Sequence, residues 1–414
     1  MSKQMKIIIV GGGPAGMMAA LAASVNQPDV TIIEKNSSLG KKLLLTGNGR
    51  CNLTNNCKIE SFHEHFHQGG KFLRDAFNQF SNIDLISFFK KRGLVFKTKD
   101  EGRIFPKSDD AGSILDVLAK EIRKRKIKVL YNTFVKKLDI DNKGCRAVIL
   151  KDDGIIFADS IILATGGVSY PQSGSNGEGF RIAAAAGHKI NPLLPGLVGL
   201  IVKQRYVKNL EGLTIGNVAL VSRSQKKKLN SKRGNLLFTK DGISGPAVIS
   251  ASSSIAKALH NKEKVWLNID FFPGLEKEKL SKMLDKILLE NSKKSIVKAL
   301  STILPQRLVV TLLKAESIDP AKKISYINKE ERMAIESVLK NWRLDLVKTL
   351  SLEKAMITQG GVSLKQLSPK TFESALVRGL YFAGEILDID ADTGGFNLQA
   401  AFSSGFSAGT KASL

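Results

Sequence analysis

An α/β fold organised on a parallel sheet is predicted by three observations. Residues 7–34 (IIIVGGGPAGMMAALAASVNQPDVTIIE) run from an apolar stretch through a glycine cluster into an alanine-rich helix, then into a second apolar stretch ending in Glu34. A buried run at 160–164 leads straight into Thr165-Gly166-Gly167. A last run at 380–383 leads into Gly384-Glu385, and an Ala/Ser/Gly-rich helix follows from Asn397. Strand, glycine turn and helix recur at both ends of the chain, so one sheet domain assembles from the two termini around an inserted middle.

The first element carries the most specific signal. Gly11-x-Gly13-x-x-Gly16 sits where a strand turns into a helix. Its glycines allow a tight turn, close approach of backbone to a pyrophosphate, and close helix–sheet packing. The helix N-terminus offers free N–H groups and a positive dipole end to phosphate. Glu34 stands 21 residues after Gly13, placed to accept hydrogen bonds from ribose hydroxyls. A basic start followed by an apolar run also outlines a signal peptide, but Gly11-Gly12-Gly13-Pro14 breaks its apolar core. No run reaches the roughly 18 apolar residues that span a bilayer, and a cytoplasmic protein is expected.

The next elements follow from periodicity. Phe72, Leu73, Ala76, Phe77 and Phe80, then Leu85, Ile86, Phe88 and Phe89, repeat at helical spacing. Ser113 reads as the N-cap of a helix buried through Ile114, Leu115, Val117, Leu118 and Ile122. A short strand at 128–131 precedes a meander at 146–151 and 155–158, turning at Asp153-Gly154. From about residue 191 the texture changes to short β-like runs through 270, then to Lys/Glu-rich helices over 275–342.

Composition narrows the function. The chain of 414 residues carries 63 Lys+Arg against 38 Asp+Glu, a net charge of +25. Such an excess concentrates polyanions, with nucleic acid first and an anionic membrane surface second. Residues 191–355 hold 30 basic and 15 acidic residues. Within them, 221–233 (VSRSQKKKLNSKR) contains Arg223, Lys226, Lys227, Lys228, Lys232 and Arg233 and no acid. Flanking runs at 217–221 and 235–238 make this a basic hairpin tip. Three cysteines, Cys51, Cys57 and Cys145, give no disulfide framework.

Only one complete dinucleotide fingerprint is present, because Gly174-x-x-Gly177-x-Gly179 lacks a preceding apolar strand. A flavin held by the N-terminal fold, reduced by a visiting nicotinamide, fits that count. In GKKLLLTGNGRCNLTN (40–55), Arg50 can face phosphate or a flavin carbonyl, and Cys51 can donate a proton or simply pack. In AGEILDIDADTGGFNLQ (383–399), acids before a helix can bind ribityl hydroxyls. His63, His65 and His67 alternate as on one strand face, yet read as a polar surface loop rather than a metal site.

These motifs, with GRIFPKSDDA (102–111), ATGGVSYPQSGSNGEGF (164–180), LLFTKDGISGPAVIS (236–250), TQGGV (358–362) and LYFAGEILDIDADTGGFNLQAAFSSG (380–405), carry a resemblance over almost the whole chain. It resembles the bacterial NAD(P)/FAD-dependent oxidoreductases of the bile-acid-reductase-like group, which include the ribosomal RNA dihydrouridine synthase flavoenzymes. The resemblance implies an α/β fold with a Rossmann-like, three-layer, GR2-type FAD-binding domain at 1–192 and 356–414. It implies an insert at 193–355, with a small β-barrel over 193–272 and 343–355 and a helical subdomain over 273–342. It carries FAD onto Gly11, Gly13, Pro14, Ala15, Gly16, Glu34, Lys35, Arg50, Asn52, Val135 (through its backbone), Thr165, Gly166, Gly384, Glu385, Asn397 and Leu398.

Members of the group look like reducers of an enone in steroid-type acids or of the C5=C6 bond of a ribosomal uridine. The chemistry is shared: hydride to the β carbon of a conjugated C=C and a proton to the α carbon. The charge favours RNA, because a steroid reductase gains nothing from +25 while an RNA enzyme needs phosphate contacts. The expected enzyme therefore takes NAD(P)H as reductant and binds ribosomal RNA along its insert. Cys51 is the expected proton donor and Tyr170 the reserve. A small-molecule enone reductase and a flavin-containing RNA-binding factor without turnover are the alternatives.

Overall fold

Backbone-to-backbone contact between the first and last helices brings the two ends of the chain together. The computed structural model describes residues 5–27 and 29–414, so the basic start weighed above as a signal peptide lies mostly outside the described residues. Helix Phe396–Ala412 lies along helix Pro14–Ala23. A Cβ on Gly405 would fall 2.2 Å from the Ala15 carbonyl oxygen, and one on Gly409 would fall 2.1 Å from that of Ala19. Residues four apart share a helix face, so two glycines on one helix meet two alanines on the other.

The structure separates into two units, residues 1–195 with 352–414, and residues 196–351. In the first, a five-stranded parallel sheet runs in the order Leu380–Phe382, Ser160–Leu163, Lys6–Val10, Asp29–Ile33, Lys128–Leu130. Ile7, Ile8 and Ile9 in the central strand are fully buried, as expected for a strand covered on both faces. An antiparallel meander, Val135–Asp141, Gly144–Leu150 and Ile155–Phe157, forms a further sheet of this unit. The strand Val135–Asp141 was not foreseen. Its charged residues Lys136, Lys137, Asp139 and Asp141 leave most of it exposed and mask its periodicity.

Other differences have local causes. The helix expected to be capped by Ser113 begins at Ala111, because the Asp110 side chain accepts from Gly112 N at 2.8 Å. The aromatic stretch splits into Arg74–Gln79 and Asn82–Lys90, because Ser81 and Asp84 form a capping box between them.

The second unit is a closed six-stranded barrel with helices. Its strand order is Leu200–Val202, Gly242–Ser244, Lys228–Thr239, Thr214–Ser224, Val265–Asp270, Trp342–Thr349. Helix Pro246–His260, read above as β-like, packs on these strands and buries Ala247, Val248, Ala251 and Ile255. Its proline at the first helical position was the overlooked signal. Helices Lys277–Glu290, Ile296–Leu300, Gln306–Ala315 and Lys329–Asn341 complete the unit.

Gly405→Val should force the two terminal helices apart. The cost of overpacking is about 1–3 kcal/mol, so a thermal melt should show a midpoint several degrees lower. A midpoint equal to that of the parent protein would show that the helices separate freely.

Candidate cofactor cleft

All five parallel strands end at one cleft. Its lining includes Val10–Ala15, Ile33–Asn36, Thr133–Val135, Ala164–Gly166 and Gly384–Glu385, which follow the C-terminal ends of the five strands. Open α/β sheets bind ligands at this edge. Counted to its open mouth, the cleft holds about 1470 Å³. Four inter-strand steps make it about 19 Å wide, enough for an extended dinucleotide.

The glycines act in different ways. At Gly11, φ is +107°, and a Cβ would lie 2.5 Å from the Ala164 carbonyl oxygen. At Gly16 a Cβ would lie 1.9 Å from the Gly11 oxygen, so Gly16 serves the turn and does not line the cleft. A Cβ on Gly13 would meet no protein atom within 4 Å while Gly13 lines the cleft. Its missing side chain leaves room for a ligand. Gly13 also caps helix Pro14–Ala23 without a side-chain hydrogen bond, leaving that N-terminus open to phosphate.

Glu34 is buried at the cleft. Its Oε2 accepts from Gly12 N at 2.7 Å, and its Oε1 accepts from Asn36 N and Nδ2, both at 2.8 Å. These bonds fix the carboxylate, and a carboxylate has about four acceptor sites, so capacity remains for a ribose hydroxyl. Lys35 donates to Asn176 at 2.7 Å and pairs with Glu178 at 3.1 Å. The Thr165 hydroxyl is buried in the cleft wall and finds no partner among the described residues. Gly174, Ser175, Asn176 and Gly179, set aside in the sequence as an incomplete fingerprint, line this same cleft.

The far end carries a polar network that sequence reasoning missed. Lys42 Nζ donates to Glu385 Oε2 at 2.5 Å and to Ser169 Oγ at 2.7 Å. Glu385 Oε1 accepts from Thr358 N at 2.8 Å and from Ser169 Oγ at 3.1 Å. The partners lie 127 to 343 residues from Lys42, so no local pattern announces them.

Of the remaining expected site residues, some line the cleft and others stand elsewhere. Pro14, Ala15, Val135, Gly166, Gly384, Asn397 and Leu398 line the cleft. The Asn397 side chain accepts from Ala391 N and donates to Ala391 O and Asp392 O, which fixes it at the start of the last helix. Arg50 does not line it; its Nε donates to Gly47 O at 3.1 Å and its guanidinium lies 5.4 Å from the Phe105 ring centre. Asn52, with its amide oriented to satisfy its neighbours, accepts from Gly395 N at 3.0 Å and donates to Thr54 O and Ile104 O. It braces the start of the last helix. Asp388 and Asp390, candidates for ribityl contacts, face Asn191 at 2.6 Å and Gln359 at 2.9 Å and do not line the cleft.

Cys51 is a correction. It is fully buried in the hydrophobic core, does not line the cleft, and burial pushes its thiol up to about 12. An unreachable thiol of that weak acidity packs rather than donates. Tyr170 is half-buried, also outside the lining, with its ring centre 5.9 Å from Lys42 Nζ and a left-handed φ of +53°. His63 and His65 belong to a 3-10 turn and His67 to the next strand, so the three do not share a strand face. Among the described residues no three His, Cys, Asp or Glu side chains could hold a metal ion.

The expected hairpin is longer than the sequence suggested. Strands Thr214–Ser224 and Lys228–Thr239 leave only residues 225–227 at the tip. A Ser222–Asn230 side-chain hydrogen bond of 2.7 Å zips the ladder outward. Arg223, Lys228, Lys232 and Arg233 therefore lie on strands and Lys226 and Lys227 at the tip. Lys226 lies 3.4 Å from Glu263, and Arg233 donates to Asn217 at 2.7 Å. Among the described residues no helix is long and apolar enough to cross a membrane.

Residues 5–411 match the family described as HI0933-like protein Rossmann domain. The chain belongs to that family. This HI0933-like chain is 34% identical over 411 residues to the 3-dehydro-bile acid delta(4,6)-reductase of Clostridium scindens, covering 98% of each. It is 31% identical over 398 residues to the ribosomal RNA dihydrouridine synthase of Escherichia coli, covering 96% of this chain and 95% of that one. In structure it is similar to a 3-ketosteroid-delta4-(5alpha)-dehydrogenase from Rhodococcus jostii, with a TM-score of 0.54 at 14% identity, covering 99% and 97% of the two chains. It is also similar to a flavocytochrome c3 fumarate reductase, with a TM-score of 0.52 at 15% identity, covering 100% of this chain and 78% of that one. The fold is thus an FAD-binding Rossmann fold, and the HI0933-like family is one of FAD-dependent oxidoreductases. The open cradle at Gly13, the orphaned Thr165 hydroxyl and the fixed Glu34 carboxylate fit that cofactor.

Gly13→Val should fill the cradle while leaving the fold intact, since its φ of −79° suits any residue. The purified variant should lack the yellow flavin absorbance yet melt within about 1 kcal/mol of parent apoprotein. Full flavin content in the variant would remove the phosphate from Gly13. Cys51→Ala should change stability by about 1 kcal/mol and leave the rate of substrate reduction unaltered, read by stopped-flow reoxidation. A rate lowered tenfold or more would return Cys51 to the mechanism.

Proposed function

We propose that this protein is an FAD-dependent reductase of a C=C bond conjugated to a carbonyl, acting on a uridine of large-subunit ribosomal RNA with NAD(P)H as electron source. The observation that carries the RNA assignment is the charge: +25 overall, with 30 basic and 15 acidic residues in 191–355. A polyanion gains from such a surface in proportion to its phosphate contacts. The dihydrouridine synthase relative, alike over nearly the full chain, supports the same choice.

FAD, when bound and reduced, supplies the hydride for the β carbon, C6 of uracil. The chain's residues do the rest. The Gly11–Gly13 turn and the following helix hold the pyrophosphate, and Glu34 holds the ribose. Lys42, fixed by Glu385 and Ser169, orients the far end of the cleft and offsets negative charge developing there. Tyr170, adjacent to Lys42, donates its phenol proton to the α carbon, C5, and recovers one from solvent. Arg223, Lys226, Lys227, Lys228, Lys232 and Arg233 hold the RNA backbone.

The higher identity to the bile-acid reductase favours a second reading, reduction of a small enone acid. One assay separates the two. The flavin is reduced anaerobically, then mixed with unmodified ribosomal RNA fragments or with an enone steroid acid. Reoxidation by RNA with dihydrouridine formed is expected, and it should slow at least tenfold between 50 and 200 mM salt. Reoxidation by the steroid alone would establish the second reading, and RNA binding without reoxidation a non-catalytic role. Tyr170→Phe should keep flavin and lower turnover about 100-fold.

A further inference from the structure

The two tryptophans of the chain have opposite environments. Trp342 is 3% exposed inside the second unit, amid Phe238 and Phe271. Trp266 lies on strand Val265–Asp270, where residues alternate buried and half-buried, and it belongs to the outward set. An outward indole needs a reason, since a barrel strand places any polar residue there at no cost.

Its neighbours supply one. Register pairs Lys228 with Arg223, Arg223 with Trp266, and Trp266 with Asp345, giving one row across four adjacent strands. Three inter-strand steps make that row about 14 Å long. Arg343 lies with its guanidinium carbon 4.5 Å from the Trp266 ring centre. Asp345 fixes that guanidinium, accepting from Arg343 Nε at 3.0 Å and Nη2 at 2.8 Å. Asp345 is itself held by Gln204 at 3.2 Å. Arg223, Lys228 and Arg343 are exposed, and among the described residues no ion pair engages Arg223 or Lys228.

We infer that Trp266 and Arg343 form a stacking platform for an unpaired RNA base, with Arg223 and Lys228 holding the adjoining phosphates. Bases splayed from a single strand stack on aromatic rings or on guanidinium planes. A row with one π-faced pair beside two free cations matches successive bases and phosphates of a single strand. A double helix, or an anionic lipid surface, would use the cations without needing the indole. This inference rests on the RNA reading above and adds the site at which a single strand is gripped on the second unit.

The test uses the full-length flavin-loaded protein and a labelled uridine-rich RNA of about 12 nucleotides, within single-strand site sizes. Binding should quench the fluorescence of Trp266, and Trp266→Ala should remove the quench. That variant should weaken binding about tenfold with the log–log salt slope unchanged, and Trp266→Phe should keep most of the affinity. Arg223→Ala should instead lower the salt slope by about 0.7. Salt-sensitive binding that is equally tight in Trp266→Ala, with no quench in the parent, would overturn the platform and leave the RNA reading standing. No RNA binding by the parent protein would overturn both.

Discussion

Carbonyl oxygens of the first helix lie where any side chain on Gly405 or Gly409 of the last helix would have to stand. That contact is the constraint on which the cleft depends. The cleft takes its turn from residues 10–15 and its opposite wall from residues 384–404, nearly the full length of the chain apart. Only when the helices touch do Ala15 and Gly384 meet, with a Cβ on Gly384 falling 2.7 Å from that of Ala15. Gly384 N then donates to Ser404 Oγ at 3.0 Å, tying the turn to the last helix. Helix propensity would favour alanine over glycine by about 1 kcal/mol. The fold accepts that loss because packing at this spot outweighs it.

Charge is arranged differently at Lys35 and Lys42 of the cleft and on one row of the barrel. In the cleft, two of the lysines are matched by acids: Lys35 by Glu178 and Lys42 by Glu385. Such pairs orient a ligand without drawing polyanions inward. On the barrel, strand residues Arg223 and Lys228 face solvent without an acid partner among the described residues. A long-range field belongs to the second set and short-range geometry to the first. On the proposed RNA reading, attraction of a large anion falls to the barrel strands and alignment of a reacting ring to the cleft, so mutations can alter one without the other.

What was legible in the sequence follows from the range of each interaction. The turn at Gly11–Gly16 and the acid at Glu34 were legible because one strand–turn–helix unit contains their partners. Residues 164–166 and 384–385 were legible as glycine turns ending apolar runs. Lys42 was not, since Ser169, Thr358 and Glu385 reach it only through the tertiary fold. Cys51 misled because the motif around it places it near a ligand, whereas its left-handed φ of +58° accompanies a thiol wholly inside the core. The helix at 246–260 was missed because alanine and serine at helical spacing give little periodic contrast. The basic hairpin was placed correctly but drawn too short, since its outward residues are polar on both strands.

Leu200 and Thr349, near the entry and exit of the second unit, are antiparallel neighbours, and Leu350 N donates to Gly199 O at 3.0 Å. The chain thus leaves and rejoins the Rossmann unit through two adjacent segments. A module whose ends already touch can be exchanged for another of any size without stretching the host that carries it. Descendants of such a scaffold can exchange the cassette between those joints while the cradle at Gly11–Gly16 is inherited untouched.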